Sequence, residues 1–278
     1  MTSTLQPTVS RETLEQFQRD GFIVMRGLFS PEEVTAIRET FMEEAGNGPV
    51  EGLSEFKSGG QQYDASDPLA FYPRMMHPHN HLDKSVGQVA AGYMLDPRLY
   101  GILHDLFDEE PLAAQSMFYF KPAGARGQAL HQDNFFLRVK PSTCIAAWLA
   151  VDDADAENGG MMVVPGSNDM EIVCPESADS AASFTRDFVA VPAGLHEVPV
   201  TMQAGDVLFF NGSVIHGSYP NSSKDRFRRS LITHYVPRSS EEVSGSYSRM
   251  TFDGGTVAIA AATGGGPCGT PQMSMSPH

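Results

Sequence analysis

The chain has 278 residues, with 34 acidic against 19 basic side chains and a net charge of −15. That balance argues against a general affinity for nucleic acid or anionic membrane surfaces and makes small molecules the expected partners. Cys144, Cys174 and Cys268 are odd in number and widely spaced, matching neither a disulfide framework nor a thiolate metal site, so a reducing, cytoplasmic setting is expected.

The length suits one large domain spanning 1–278, and the sequence holds neither a signal-peptide pattern nor an apolar run of membrane-spanning length. Leu14 and Phe17 recur at helical spacing and predict a helix over 8–20, with Thr8 or Ser10 as its cap. "GFIVMRGLF" (21–29) reads as a short buried strand. In "SPEEVTAIRETFMEEA", Ser30 and Glu33 form a capping-box pattern with Pro31 at the first helical position. Residues 46–83 lack a period and read as a long irregular segment, whereas "HLDKSVGQVAAGYMLDPRLYGILHDLF" resumes helical spacing. From about residue 113 the pattern turns to apolar and β-branched runs: "AAQSMFYFK", "STCIAAWLAV", "GGMMVVPGS", "DVLFF" and "RSLITHYV". The expected organisation is a helical preface (about 1–112), a β core (about 113–240) and a loosely ordered tail (about 263–278). The fold class is mainly β with flanking helices.

Within "ALHQDNFF", His131 and Asp133 sit two apart in an apolar run, on one face if the segment is extended. Burying them without partners is costly, so a metal, a hydrogen-bond network or solvent must satisfy them. "GDVLFFNGSVIHGSYPN" offers His216 at the end of another strand. Two histidines and one carboxylate on one face of a metal leave further positions open, the donor set of non-haem Fe(II) oxygenases. Arg228 and Arg229 open the strand that follows. An arginine facing inward there needs a partner, and its planar fork matches a carboxylate.

With these residues in place, the sequence resembles the phytanoyl-CoA dioxygenase-like family of Fe(II)/2-oxoglutarate-dependent oxygenases. Four segments carry the resemblance in order: "FQRDGFIVMRGLFSPEEV", "MFYFKPAG" with "LHQD", "AAWLAVDDADAENGGMMVVPGS", and "GDVLFFNGSVIHGSYPNSSKDRFRRSL". It implies a double-stranded β-helix, the jelly-roll barrel shared with cupins. It also implies His131, Asp133 and His216 as Fe(II) ligands, and Arg228 as the grip on the distal carboxylate of the cosubstrate 2-oxoglutarate, with Arg229 as the alternative. Ser218, Trp148 and Met117 match positions lining the cosubstrate pocket. Ser218 shares the parity of His216, and Arg228, Ser230, Ile232 and His234 share one face of the last strand. The implied reaction couples O2 and decarboxylation of 2-oxoglutarate to succinate and CO2 with hydroxylation of an unactivated C–H bond in a small molecule. Desaturation, epoxidation and rearrangement use the same ligands, and a non-enzymatic cupin-like binding protein is the alternative from another class. Related halogenases replace the carboxylate with a small residue; Asp133 is present, so halogenation is not expected.

The remaining motifs read more plainly. "HPHNH" (77–81) is expected to be solvent-exposed or part of a lid, with neighbouring Arg74 and Tyr72 as substrate candidates. "KDRFRR" is too short a basic run to bind nucleic acid in so acidic a chain. "VDDADAEN" reads as a solvated turn, and Cys144 as core packing. The polar stretch 171–200 interrupts the strands and is expected to form a wall over the iron, where Phe184 or Arg186 meets substrate.

Overall fold

The computed structural model describes residues 9–55, 57–58, 61–263 and 266–268. Ser10 accepts the Thr13 N–H and starts α1 (Arg11–Asp20), which ends at Gly21 with φ 80°, a left-handed conformation that turns the chain directly into β1 (Phe22–Met25). α2 (Pro31–Ala45) carries the complete capping box: Ser30 Oγ accepts from Glu33 N–H, and the Glu33 carboxylate accepts from Ser30 N–H. The single helical run expected over 81–107 is two helices, α3 (Ser85–Met94) and α4 (Pro97–Phe107). Pro97 cannot continue the first, and Asp96 caps the second.

The strands that build the site are β2 (Met75–Met76), β3 (Pro111–Lys121), β4 (Gln128–His131), β5 (Ile145–Ala150) and β6 (Met161–Val163). β7 (Val198–Val200), β8 (Val207–Asn211), β9 (His216–Ser218) and β10 (Arg228–Pro237) complete them. They form two antiparallel sheets, a six-stranded one in the order β1-β8-β5-β10-β3-β2 and a four-stranded one in the order β7-β6-β9-β4. The arrangement is a jelly roll of two open sheets rather than one closed barrel. β1 lies within the segment expected to be a helical preface. It nonetheless pairs with β8, Phe22 opposite Phe210, and forms an edge of the larger sheet.

Side-chain alternation sorts each strand of the large sheet between two cores. Phe118, Phe120, Ala147, Leu149, Val207, Phe209 and Leu231 point to the helices, where they pack with Phe17, Ile37, Phe41, Val86 and Leu99. Met117, Tyr119, Ala146, Trp148, Leu208, Phe210 and Ile232 point the other way and meet Met161, Val163 and Val200 of the smaller sheet. The layers are therefore helices, large sheet and small sheet, with the polar residues of the site in the space between the two sheets.

The cysteine expectation needs correction. Cys174, in the 171–200 stretch, is disulfide-bonded to Cys268, with Cα atoms 5.1 Å apart across 94 residues of sequence. Sequence spacing is silent on such a long-range approach; only Cys144 is free, and it is buried. Of the expected loose tail, 264–265 and 269–278 lie outside the described residues.

Candidate active site

β4 and β9 are antiparallel neighbours, and their register sets His131 opposite His216. The imidazole rings lie 4.3 Å apart between centroids. His131 Nδ1 is 2.8 Å from the Ala129 carbonyl and His216 Nδ1 is 3.0 Å from the Val214 carbonyl. A carbonyl only accepts, so each Nδ1 carries the proton, and in the neutral ring each Nε2 keeps its lone pair toward the centre of the site, where Gln128 Nε2 lies 3.3 Å from that of His131. Asp133 Oδ1 lies 3.5 Å from His131 Nε2 and 3.6 Å from His216 Nε2. All three side chains are buried, and their ligand atoms lie within 4.8 Å of one another, the only such group among the described residues.

The parity argument for His131 and Asp133 gives the right pair for the wrong reason. β4 ends at His131, and Asp133 has φ −60° and ψ −36°, at the start of the helical turn Asn134–Leu137. That turn, rather than strand alternation, swings the carboxylate back beside the imidazoles. Between them, Gln132 points away: its amide donates to the Ser213 carbonyl, and its Oε1 accepts from Val173 N–H, tying the 171–200 stretch to the motif.

Burial alone would raise the Asp133 carboxyl, but His216 and His234 beside it hold it well below the usual carboxylate range. Burial pushes His216 down to about 4. The site therefore presents an anionic carboxylate and a neutral imidazole, the protonation states a metal requires. Two imidazoles and one carboxylate with no thiolate fit Fe(II).

Arg228 is 2 % exposed and forms no ion pair among the described residues. Its Nε donates to the Gly159 carbonyl at 2.9 Å and its Nη1 to Ser230 Oγ at 2.8 Å, while Cζ sits 5.4 Å from the centre of the Trp148 ring. Burial lowers it to about 10. Arg229 faces the other way and is committed to Asp152, with Nε and Nη2 each 2.7 Å from a carboxylate oxygen. Met117, Trp148, Ser218, Ile232 and Arg228 line one small cavity with the three triad residues.

Lys121 is the residue that sequence reasoning missed. It is 1 % exposed, its register partner on β10 is Arg228, and its Nζ donates at 2.7 Å to both Ser218 Oγ and the Tyr219 carbonyl. Burial and then the charge of Arg228 depress it well below the usual lysine range. Gly159 makes room for it: φ is +87° there, and a Cβ would run into the Lys121 side chain. A charged residue at the end of the apolar run "SMFYFK" was the available signal.

Of the expected substrate residues, Phe184 and Arg186 line a second cavity of about 510 Å³, together with Tyr63, Asp67 and Arg126. Phe184 also packs against Tyr119 of the metal cavity, ring centroids 6.4 Å apart. Tyr72 lies among Phe71, Phe120 and Phe227, away from both cavities. Arg74 is buried and bidentate to Glu55, and its Nη1 donates to Tyr119 OH at 3.0 Å, so its charge is already matched. The 77–81 histidines are not solvent-exposed as a group. His79 is buried with Nδ1 2.7 Å from Ser116 Oγ, and His77 is half-buried against Gln115, because this segment packs along the first half of β3. The "VDDADAEN" turn is organised by ion pairs of Asp152 with Arg229 and of Asp155 with Arg226.

Comparison with known proteins agrees with this geometry. The family model for phytanoyl-CoA dioxygenase matches residues 17–230. The Arabidopsis thaliana protein phytanoyl-CoA dioxygenase is 25% identical over 263 residues, covering 83% of this chain and 89% of the relative. Among solved structures, the non-haem α-ketoglutarate-dependent carbocyclase SnoK of nogalamycin biosynthesis superposes with a TM-score of 0.60 at 21% identity, covering 88% of each chain. The epimerase SnoN, solved with Fe3+, α-ketoglutarate and nogalamycin RO, superposes with a TM-score of 0.63 at 18% identity, covering 91% of this chain and 95% of that one. The family match over most of the chain, the jelly roll and the His131–Asp133–His216 triad lead to one assignment: the chain belongs to the phytanoyl-CoA dioxygenase family of Fe(II)- and 2-oxoglutarate-dependent oxygenases.

Proposed function

We propose that this protein is an Fe(II)- and 2-oxoglutarate-dependent dioxygenase that hydroxylates an unactivated C–H bond of a small molecule. The observation that carries the reading is Arg228, a buried cation with no carboxylate partner among the described residues, in the same cavity as the metal triad. A buried charge left unpaired is costly, so the site is built for an anion that the described residues do not provide.

Iron and 2-oxoglutarate, when bound, supply the oxidative decarboxylation that activates O2 for attack on a C–H bond. The protein's part is orientation. His131, Asp133 and His216 would hold the metal, a three-donor set that would leave positions open for the keto acid and O2. Arg228 keeps its free N–H donors, both on Nη2 among them, for the distal carboxylate. Ser218 Oγ accepts from Lys121 Nζ and from Gln128 N–H, which leaves its own O–H to donate to the same carboxylate. Trp148 and Met117 close the cavity with apolar surface and exclude water. The whole chain acts as one catalytic unit.

Substrate enters through the larger cavity, where Phe184 offers an apolar face and Arg186 a charge. Two of the neighbouring structures are a carbocyclase and an epimerase. Rearranging chemistry at the same site is therefore the second reading, separated from hydroxylation by whether the product gains an oxygen atom. A cytoplasmic setting belongs to the same proposal. The Cys174–Cys268 disulfide is the observation that opposes it, and trapping thiols at cell lysis decides between the two.

The test is anaerobic titration of the apo-protein with Fe(II) and 2-oxoglutarate. A visible charge-transfer band of the chelated keto acid is expected. In Arg228→Ala the band disappears at limiting 2-oxoglutarate, and Arg228→Lys does not restore it fully, because a point charge lacks the planar fork. Trp148, the chain's single tryptophan, lies under Arg228 and gives a fluorescence change on cosubstrate binding as a second readout. Iron uptake without the band overturns the reading in favour of a metal-binding cupin-like protein.

A further inference from the structure

Asp133 has two carboxylate oxygens in different surroundings. Oδ1 faces the two imidazole Nε2 atoms, whereas Oδ2 lies 2.8 Å from His234 Nε2. His234 Nδ1 is 3.1 Å from Gln115 Nε2, and Gln115 Oε1 is 3.1 Å from His77 Nε2. Gln115 and His234 are Cα partners on β3 and β10, so the ladder itself brings them together. Both are buried completely or nearly so, and His77 is half-buried at the outer end.

The direction of the chain follows from donor and acceptor chemistry. A carboxylate only accepts, so His234 donates from Nε2, and in the neutral ring Nδ1 accepts from the Gln115 Nε2 that faces it. The Gln115 amide therefore presents its NH2 to His234 and its carbonyl to His77, whose Nε2–H donates. Each link fixes the orientation of the next, ending at Asp133 Oδ2. His77 is held in the left-handed region, φ 50°, with its backbone N–H donating to the Ser116 carbonyl at 2.9 Å. A non-glycine residue in that conformation is uncommon and is found where surroundings over-determine it.

We infer that His77, Gln115 and His234 form a positioning chain that holds Asp133 as a one-oxygen ligand and so keeps a metal position open for the reaction. The inference rests on the oxygenase reading. With Oδ2 occupied by His234, the carboxylate binds through Oδ1 alone. Released, it can turn both oxygens to the metal and occupy a position that the keto acid or O2 requires. None of the three belongs to the ligand triad, although His234 lines the same cavity; they act through Asp133.

Co(II) is the probe, because its visible ligand-field spectrum reports coordination number and its binding needs no turnover. Expected in His234→Phe are a loss of Co(II) affinity of about 10- to 100-fold, the usual range for a ligand's hydrogen-bonding partner, and an altered visible spectrum. His234→Gln, whose amide N–H reaches the same oxygen, recovers most of both. Gln115→Leu, close to isosteric and outside the ligand triad, shifts the spectrum in the same sense with native far-UV circular dichroism and a Tm lowered by the hydrogen bonds it removes, and His77→Phe does so to a smaller extent. The inference is overturned if Gln115→Leu and His234→Phe keep wild-type affinity and spectrum, or if His234→Gln fares no better than His234→Phe. Should the wild type take up no Co(II), the metal reading fails first and this inference with it.

Discussion

Asp133 is the residue on which the site turns. It is a buried anion whose oxygens are divided between the metal position and His234. Asp133→Ala is expected to abolish Fe(II)-dependent succinate formation and to weaken metal binding by about 100-fold or more, since it removes a ligand and the target of the chain behind it. Far-UV circular dichroism is expected to stay native, because deleting a buried charge relieves desolvation. Unchanged activity would remove the metal assignment. His79 makes a different point at the same scale. It is 3 % exposed, and burial, then the charges of His77 and His81, push it down to about 4. Its folded value lies below that of an unfolded histidine near 6.5, so between about pH 6.5 and 4 the unfolded chain binds the extra proton. Stability from neutral His79 is present above that window and is lost as the pH falls through it, by about 2 kcal/mol at pH 5. Urea unfolding at pH 7.5 and pH 5 compares wild type with His79→Gln, which is expected to shrink the difference by about that amount and to leave the part that belongs to His216.

At the scale of elements, the large sheet separates stability from chemistry by alternation. β3 sends Phe118 and Phe120 to the helices and Gln115, Met117, Tyr119 and Lys121 to the site. Phe41 of α2 is fully buried and stacks on Phe118 with ring centroids 3.9 Å apart. Phe41→Ala is expected to cost about 3–5 kcal/mol in denaturant unfolding while leaving metal affinity below the new Tm unchanged, because only the outer face of β3 is disturbed. Loss of metal affinity in the folded variant would show the two faces to be coupled. The same alternation explains what was legible from sequence. Arg228, Ser230, Ile232 and His234 share a face because β10 is a regular strand, and Ser30 with Glu33 caps α2 because that motif is local. Asp133 was placed correctly by resemblance and incorrectly by parity, since the strand gives way to a helical turn after His131. Gln115 acquires its meaning only through its cross-strand register with His234, which no single segment encodes, and His77 through its contact with Gln115. Arg74 reads as a substrate candidate because its partner, Glu55, lies in the segment without period.

For the whole molecule, segments far from the site in sequence are tied to it. β1 extends the large sheet at one edge, and Cys268 is joined to Cys174 in the stretch that Gln132 ties to the metal motif. The disulfide closes a loop of 94 residues, and cross-linking so long a segment removes entropy from the unfolded chain, about 4–5 kcal/mol in the chain-entropy account and less wherever the unfolded state retains structure. The bond therefore acts on global stability, whereas the metal triad is set by the β4–β9 register and the turn after His131. Protein unfolded without reductant is expected to present a single reactive thiol, Cys144, and after reduction all three cysteines. Reduction, or Cys174→Ser, is expected to lower Tm while Fe(II) affinity at 25 °C stays within a few-fold, because Gln132 keeps Val173 in place through its own hydrogen bond. If affinity collapses together with the disulfide, the 171–200 stretch holds the metal motif in shape, and oxidation state becomes a condition of activity rather than of stability alone.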